Sequence, residues 1–214
     1  MSLDICEIFY SLQGESTFAG LPCVFVRLSG CNLDCTWCDT PYARTEARTV
    51  SLDTIIEEVA SFDCTLVEIT GGEPLMQDRT PELIKRLLSR GYEVLMETNG
   101  SLSIAPVDPA CVRILDIKCP SSNASGSFLA ENFAHLTPED EIKFVIGSRR
   151  DYEFAREIIR DRLSGHPKQR IHLSPVFGLI PPERMAAWII EDNLHARLSL
   201  QQHKLIWNPE RRGV

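Results

Sequence analysis

Strand-like runs and amphipathic helical segments take turns along most of the chain, and that alternation limits the fold more than any other feature of the sequence. Residues 23–28 are rich in β-branched and aromatic side chains and end at Ser29-Gly30, which reads as a strand entering a loop. Ser51 caps a helix whose apolar residues Leu52, Ile55, Ile56, Val59 and Ala60 return at helical spacing. A strand over 65–69 breaks at Gly71-Gly72. Thr80 and Pro81 then open a second helix as its cap and first residue, with Leu83, Ile84, Leu87 and Leu88 as its buried stripe and Gly91 as its stop. Strands are expected again at 92–96, 112–117, 141–146, 170–173 and near 197–200. Ser148 caps a helix with Tyr152, Ala155, Ile158, Ile159 and Leu163 on its inner face, and Pro181-Pro182 opens the last one.

Strand then helix, repeated, predicts an α/β fold built on a parallel sheet with right-handed crossovers. About six or seven strands are expected but fewer helices, because the segment 101–109 is short and interrupted by proline. No repeat and no long Gly/Ser linker divides the chain, so one domain over residues 1–214 is expected. The pattern leaves open whether the sheet stays flat or curls towards a barrel.

With 22 basic and 30 acidic residues the net charge is −8, and no basic cluster offers a nucleic-acid surface. No run of about 18 apolar residues crosses a membrane, and Met1-Ser2-Leu3-Asp4 carries no leader pattern, so a cytoplasmic protein is expected. In that reducing compartment eight cysteines point to metal binding or catalysis. Cys31, Cys35 and Cys38 form a CxxxCxxC loop directly after a predicted strand. A closed structural zinc site needs a fourth ligand, but no histidine precedes His135 and Cys23 lies on a predicted strand. Three thiolates can instead hold three irons of a 4Fe-4S cluster and leave the fourth open to a ligand that is not protein. Cys6, Cys23, Cys64, Cys111 and Cys119 lack ligand spacing and are expected to be reduced, buried small hydrophobes.

The cysteine spacing, Trp37 just before the third cysteine, and Gly71-Gly72-Glu73-Pro74 after the next strand together resemble the radical S-adenosylmethionine superfamily. That likeness implies a partial (β/α)6-type barrel with reduced helical content. It also implies a cluster whose open iron chelates S-adenosylmethionine and whose electron yields a 5'-deoxyadenosyl radical. Phe9-Tyr10-Ser11-Leu12-Gln13-Gly14-Glu15-Ser16, Val26-Arg27-Leu28-Ser29-Gly30, Cys38-Asp39-Thr40 and His203-Lys204-Leu205-Ile206-Trp207 are similar to segments of the 7-carboxy-7-deazaguanine synthases. The likeness runs from Ile8 to Trp207. It implies a lyase that converts 6-carboxy-5,6,7,8-tetrahydropterin to 7-carboxy-7-deazaguanine with loss of ammonia, on the route to queuosine, using magnesium and working as a homodimer. A small one-electron donor protein such as a flavodoxin or ferredoxin would reduce the cluster.

Carried over position by position, Cys31, Cys35 and Cys38 match the cluster ligands and Thr40 the magnesium position. Trp37, Cys38, Asp39 and Gly72 match the lining of the S-adenosylmethionine site, and the Glu73 carboxylate beside them is suited to accept from the cofactor's ammonium. Two turns that close predicted strands, Ser121-Ser122-Asn123 and Ser174-Pro175-Val176-Phe177, are expected beside the same cofactor. Leu12, Gln13, Gly14 and Thr70 match substrate contacts, and Arg27 the residue facing the substrate carboxylate, a task suited to its planar fork of donors, while Glu15 is a candidate to replace a contact that some relatives make with their C-terminal carboxylate. On its own pattern Arg27, between Val26 and Leu28, reads as an outward strand arginine, and Glu97-Thr98-Asn99-Gly100 as an Asn-Gly turn. His203 reads as a packed residue. Some relatives end at a proline whose carboxylate reaches the substrate, whereas here Pro209 is followed by Glu210-Arg211-Arg212-Gly213-Val214. The competing readings are a glycyl-radical activating enzyme and, from another class, a zinc-bound interaction module.

Overall fold

The computed structural model describes residues 1–214. Its strands are β1 (Ser2–Leu12), β2 (Pro22–Leu28), β3 (Arg48–Ser51), β4 (Leu66–Gly71), β5 (Glu93–Thr98), β6 (Val112–Asp116), β7 (Glu141–Ile146), β8 (Ile171–Pro175) and β9 (Arg197–Leu198). The helices are α1 (Leu52–Ala60), α2 (Thr80–Ser89), α3 (Arg149–Arg162), α4 (Pro182–Glu191) and α5 (His203–Ile206). All nine strands join one sheet in the order β3-β1-β2-β4-β5-β6-β7-β8-β9. From β2 to β9 every pairing is parallel, as the strand and helix alternation predicts. At the other edge β1 runs antiparallel to both β2 and β3, and β1 and β3 are strands that the sequence pattern did not announce.

Local chemistry explains the helices. Ser51 and Ser148 accept hydrogen bonds from the backbone of Thr54 and Asp151, closing the first turns of α1 and α3 as expected. Thr80 does not cap α2. The cap position falls on Arg79 without a side-chain bond, and the Thr80 hydroxyl donates 2.6 Å to the Pro74 carbonyl instead.

The parallel strands carry apolar side chains on the face that meets the helices. Val24, Val26, Val67, Ile69, Val94 and Met96 pack with α1 and α2, while Leu115, Ile142, Phe144 and Leu173 pack with α3 and α4. The opposite face is apolar at one level, through Phe25, Leu66, Leu95 and Ile114, and polar at the next. In register there lie Arg27 beside Thr70 and Asp116 beside Lys143. The sheet is strongly curved, since the loop after β1 reaches β7 across four intervening strands, with Glu15 bonded to Lys143 at 2.9 Å. β3 and β9 each leave one side unpaired, which makes the barrel partial.

Candidate active site

The cysteine loop leaves the end of β2 and bears on the mouth of the curved sheet. Cys31, Cys35 and Cys38 are free, half-buried, and line a cavity of about 420 Å³. The loop is held by Gly30 N–H to the Ala43 carbonyl, 2.8 Å, and Thr36 N–H to the Ser122 carbonyl, 2.9 Å. No three His, Cys, Asp or Glu side chains converge tightly enough to share one ion. A cluster asks for something else, because each thiolate binds a different iron and the sulfurs stand apart. Burial raises the pKa of Cys35, with Asp116 adding to it against the pull of Lys118, so loading a metal there displaces a proton. Of the remaining cysteines, Cys23, Cys111 and Cys119 are buried as expected, whereas Cys6 and Cys64 are only partly so.

The Gly71-Gly72 turn lies against the start of that loop. A Cβ on Gly72 would stand 1.9 Å from the Gly30 carbonyl oxygen, and one on Gly71, whose φ is +146°, would stand 2.3 Å from the Leu28 oxygen. Glu73 departs from its expected place. It is fully buried, Oε1 accepts from Thr98 Oγ1 and Leu75 N–H, and Oε2 accepts from Asn99 N–H at 2.7 Å. Its carboxylate ties β4 to β5 behind the turn instead of facing a ligand. Trp37 lines the cavity with its ring edge against Gly147, where a Cβ would meet it at 2.8 Å.

The polar face of the sheet supplies the far wall. Lys143 is surrounded by Glu15, Glu97 and Asp116, and these carboxylates more than offset burial and hold its pKa well above the usual lysine value. Lys118 donates 2.9 Å to Asp116 Oδ2, and its pKa is likewise raised by Asp116 against burial. Asp116 Oδ1 is buried and has no partner in the chain. At the rim, desolvation opposes the Asp39 carboxylate, but Lys204 at 3.0 Å, Lys143 and Arg27 hold its pKa down to about 2. A wall with an orphaned carboxylate oxygen beside the paired ammonium groups of Lys118 and Lys143 suits a zwitterion such as the amino-acid end of S-adenosylmethionine.

A second lobe of about 340 Å³ adjoins the first, and Glu15, Arg27, Thr70 and Glu97 belong to both. Arg27 faces inward, which resolves the ambiguity of its pattern. Its Nε donates 2.8 Å to Glu7 Oε1, which also accepts from Tyr42 Oη, and its terminal nitrogens remain free for a ligand. Phe9 and Phe25 stack 4.9 Å apart beneath it. Leu12, Gln13 and Gly14 line this lobe, as do the last residues, Pro209 to Val214. Glu68, on the floor, accepts from Gln13 Nε2, and burial together with Glu97 raises its pKa well above the carboxylate range.

The sequence reading missed Glu68, Glu97, Lys118 and Lys143 as cavity residues, and His203 also lines the second lobe. For Glu68, Glu97 and Lys143 the signal was period-2 polarity inside otherwise apolar strands. The two cofactor turns are met unevenly. Val176 and Phe177 line the cavity, while Ser174 and Pro175 are buried in β8. Ser121 turns its N–H and hydroxyl to Asp151, the Ser122 hydroxyl donates to the Cys119 carbonyl, and Asn123 takes a φ of +62°. That turn supports the cysteine loop through the Ser122 carbonyl.

Fold and site together define a radical S-adenosylmethionine protein, and the family model described as the Radical SAM superfamily matches residues 25–116. Proteins of this class work with a 4Fe-4S cluster and S-adenosylmethionine. A relative from Koribacter versatilis is 47% identical over 99% of this chain and 100% of its own length, and one from Chlorobaculum tepidum is 45% identical over 99% and 97%. Both are named 7-carboxy-7-deazaguanine synthase. A crystal structure of QueE from Escherichia coli superposes with a TM-score of 0.76 at 26% identity, covering 95% of each chain. The chain belongs to the 7-carboxy-7-deazaguanine synthase family.

Proposed function

We propose that this chain, as one core domain over residues 1–214, converts 6-carboxy-5,6,7,8-tetrahydropterin to 7-carboxy-7-deazaguanine with release of ammonia. The observation that carries the reading is the joining of the two lobes at Arg27, with three free thiols opening on one lobe and aromatic rings flooring the other. Cys31, Cys35 and Cys38 would hold the cluster, while Trp37, Asp39, Gly72, Val176 and Phe177 would surround S-adenosylmethionine. Together these groups supply an adenosyl radical able to take a hydrogen atom from the pterin. Asp116 offers its unpartnered Oδ1 to the cofactor ammonium. Thr40 stands at the head of a short helical turn without using its hydroxyl as a cap, and that oxygen would be the chain's own ligand to magnesium, which takes the rest of its oxygens from water and substrate.

Arg27 grips the pterin carboxylate through its two terminal nitrogens, with Glu7 and Tyr42 fixing its tilt. Gln13, Gly14, Glu15 and Thr70 bound the pterin ring, and the curved sheet around it keeps bulk water from the reacting carbon. The Ser121-Ser122-Asn123 turn and the Ser174-Pro175 end of β8 brace the cofactor side from behind. No helix is long and apolar enough to cross a membrane. A cytoplasmic homodimer reduced by a flavodoxin or ferredoxin completes the reading.

The test is anaerobic reconstitution followed by mass spectrometry of the product. Carboxydeazaguanine formed with S-adenosylmethionine largely regenerated supports the assignment. Steady loss of the cofactor to 5'-deoxyadenosine, with the carboxypterin unchanged, would overturn it in favour of an activating enzyme that acts on a protein. A parallel variant checks the carboxylate grip. Arg27→Ala should raise the KM for the carboxypterin about a hundredfold, as loss of a charge-assisted pair does, while iron content and slow S-adenosylmethionine cleavage persist. Equal loss of iron would make Arg27 structural.

A further inference from the structure

One layer below the cavity, β7 carries a second buried acid that the proposed chemistry does not use. Glu141 and Lys143 are two residues apart on one strand and so point to the same concave face. Lys143 bonds Glu15 at 2.9 Å. Glu141, with no exposed side-chain surface, accepts from Thr17 N–H at 3.1 and 3.2 Å and from the Thr17 hydroxyl. The two residues on β7 therefore grip two residues of the β1–β2 loop with matching spacing.

Arg170 at the head of β8 locks the lower grip, because its Nη1 donates 2.9 Å to Glu141 and 3.0 Å to the Thr17 hydroxyl. His172 Nε2 lies 2.7 Å from the other Glu141 oxygen, outside hydrogen-bonding alignment. Between the grips Ser16 holds a φ of +62°, a conformation that a residue with a side chain keeps only where its neighbours over-determine it. The segment so pinned is the one whose Gln13, Gly14 and Glu15 line the substrate lobe. Its other tethers close the two ends of the loop, through Gln13 N–H to the Leu21 carbonyl and Gly20 N–H to the Gln13 carbonyl, or hold the near side, through Gln202 N–H to the Gly14 carbonyl, Gln13 Nε2 to Glu68 and Gln201 Nε2 to Glu15, and none of them ties residues 16–19 to the rest of the fold.

We infer that Glu141 is a positioning residue that, through Thr17, holds the Gln13 to Glu15 segment in the shape that receives the substrate. It touches neither substrate nor cofactor, and the identity of the substrate rests on the function proposed above. A carboxylate suits the task better than an amide, since one oxygen pair takes both the backbone and the hydroxyl of Thr17 while answering the Arg170 charge.

The experiment compares wild-type holoenzyme with Glu141→Gln, Thr17→Val and Thr17→Ser. Binding of the carboxypterin is read by its fluorescence, KM and kcat by turnover, and exchange of the amides of residues 12–17 by mass spectrometry. Thr17→Val should raise Kd and KM about tenfold with kcat and iron content nearly unchanged, and should speed exchange across 12–17. Thr17→Ser should restore all of these, a rescue that lost packing alone would not give. Glu141→Gln should follow Thr17→Val where it folds, and the threonine pair decides the matter where it does not. Unaltered KM and exchange in Thr17→Val, or failure of the serine variant to restore them, would overturn the inference. If wild type fails to bind the carboxypterin, the substrate assignment falls, and the amide exchange still judges the clamp by itself.

Discussion

The Glu68 carboxyl lies on the floor of the substrate lobe beside Phe25, where burial and the neighbouring Glu97 and Glu15 all oppose its ionisation. In the unfolded chain it ionises from about pH 4.3, whereas in the fold it keeps its proton to a much higher pH. Stability is therefore full below the unfolded pKa and is lost as pH rises above it. Glu68→Gln keeps an acceptor for Gln13 and removes that cost. The variant should melt higher than wild type at pH 7, by roughly 2–4 °C for each kcal/mol relieved, and no higher at pH 4. A difference in melting point that stays constant across this range would refute the buried acid. Asp39 has the opposite sign. Its pKa of about 2 lies below the ordinary aspartate value, so the stability it lends is present above about pH 4 and lost towards pH 2. Neither behaviour could be read from the sequence. An acid inside an apolar strand looks like a solvated outer face until the sheet is known to curl. Arg27 and Glu97 were ambiguous for the same reason, while the three cysteines were legible because their spacing lies within one loop.

At the scale of elements, the Gly71-Gly72 turn shows how closely two strand ends must approach to present the cysteine loop. Gly72→Ala puts a methyl group into the Gly30 backbone, which cannot rotate aside as a side chain could. The expected outcome is a protein that keeps its far-ultraviolet circular dichroism but takes up little iron. Normal iron incorporation would show that the loop has room to move. Where a cap or stripe acts within its own helix the sequence was a sufficient guide, and Ser51→Ala should cost about 1 kcal/mol as the loss of the bond to Thr54 N–H. Where an element is fixed from outside, it was not. β1 shows buried Leu3 and Ile5 and then four half-buried residues before exposed Tyr10, a weak alternation that becomes a strand because β2 and β3 pair with it on both sides. β3 has only four residues and exists by pairing with β1. Thr80 looked like a cap because it precedes Pro81, but the Pro74 carbonyl competes for its hydroxyl and wins.

Across the whole molecule the apolar residues fall into two large clusters, one under β1 to β5 with α1 and α2, the other under β6 to β8 with α3 and α4. Such a division could signal two units that unfold separately. Three features join them: Leu75 packs against both, the inner group of Phe25, Leu66, Leu95 and Ile114 spans β2, β4, β5 and β6, and the β1–β2 loop is bonded to β7. The parallel pairing of β5 with β6 runs without a break between the halves. A sheet stitched in this way should unfold as one unit. Leu83→Ala in the first cluster and Phe144→Ala in the second should each destabilise by about 2–5 kcal/mol. In urea both variants, made in a background where Trp37 and Trp207 are replaced by phenylalanine so that Trp188 on α4 is the one fluorophore, should give a single transition, at the same midpoint whether followed by tryptophan fluorescence or by circular dichroism of the whole sheet. If Leu83→Ala lowers the circular dichroism midpoint while the Trp188 signal holds, the halves are independent and the loop-to-β7 bonds are too weak to couple them. Coincident midpoints would instead mean that the contacts closing the barrel mouth over the cavity also make the molecule cooperative.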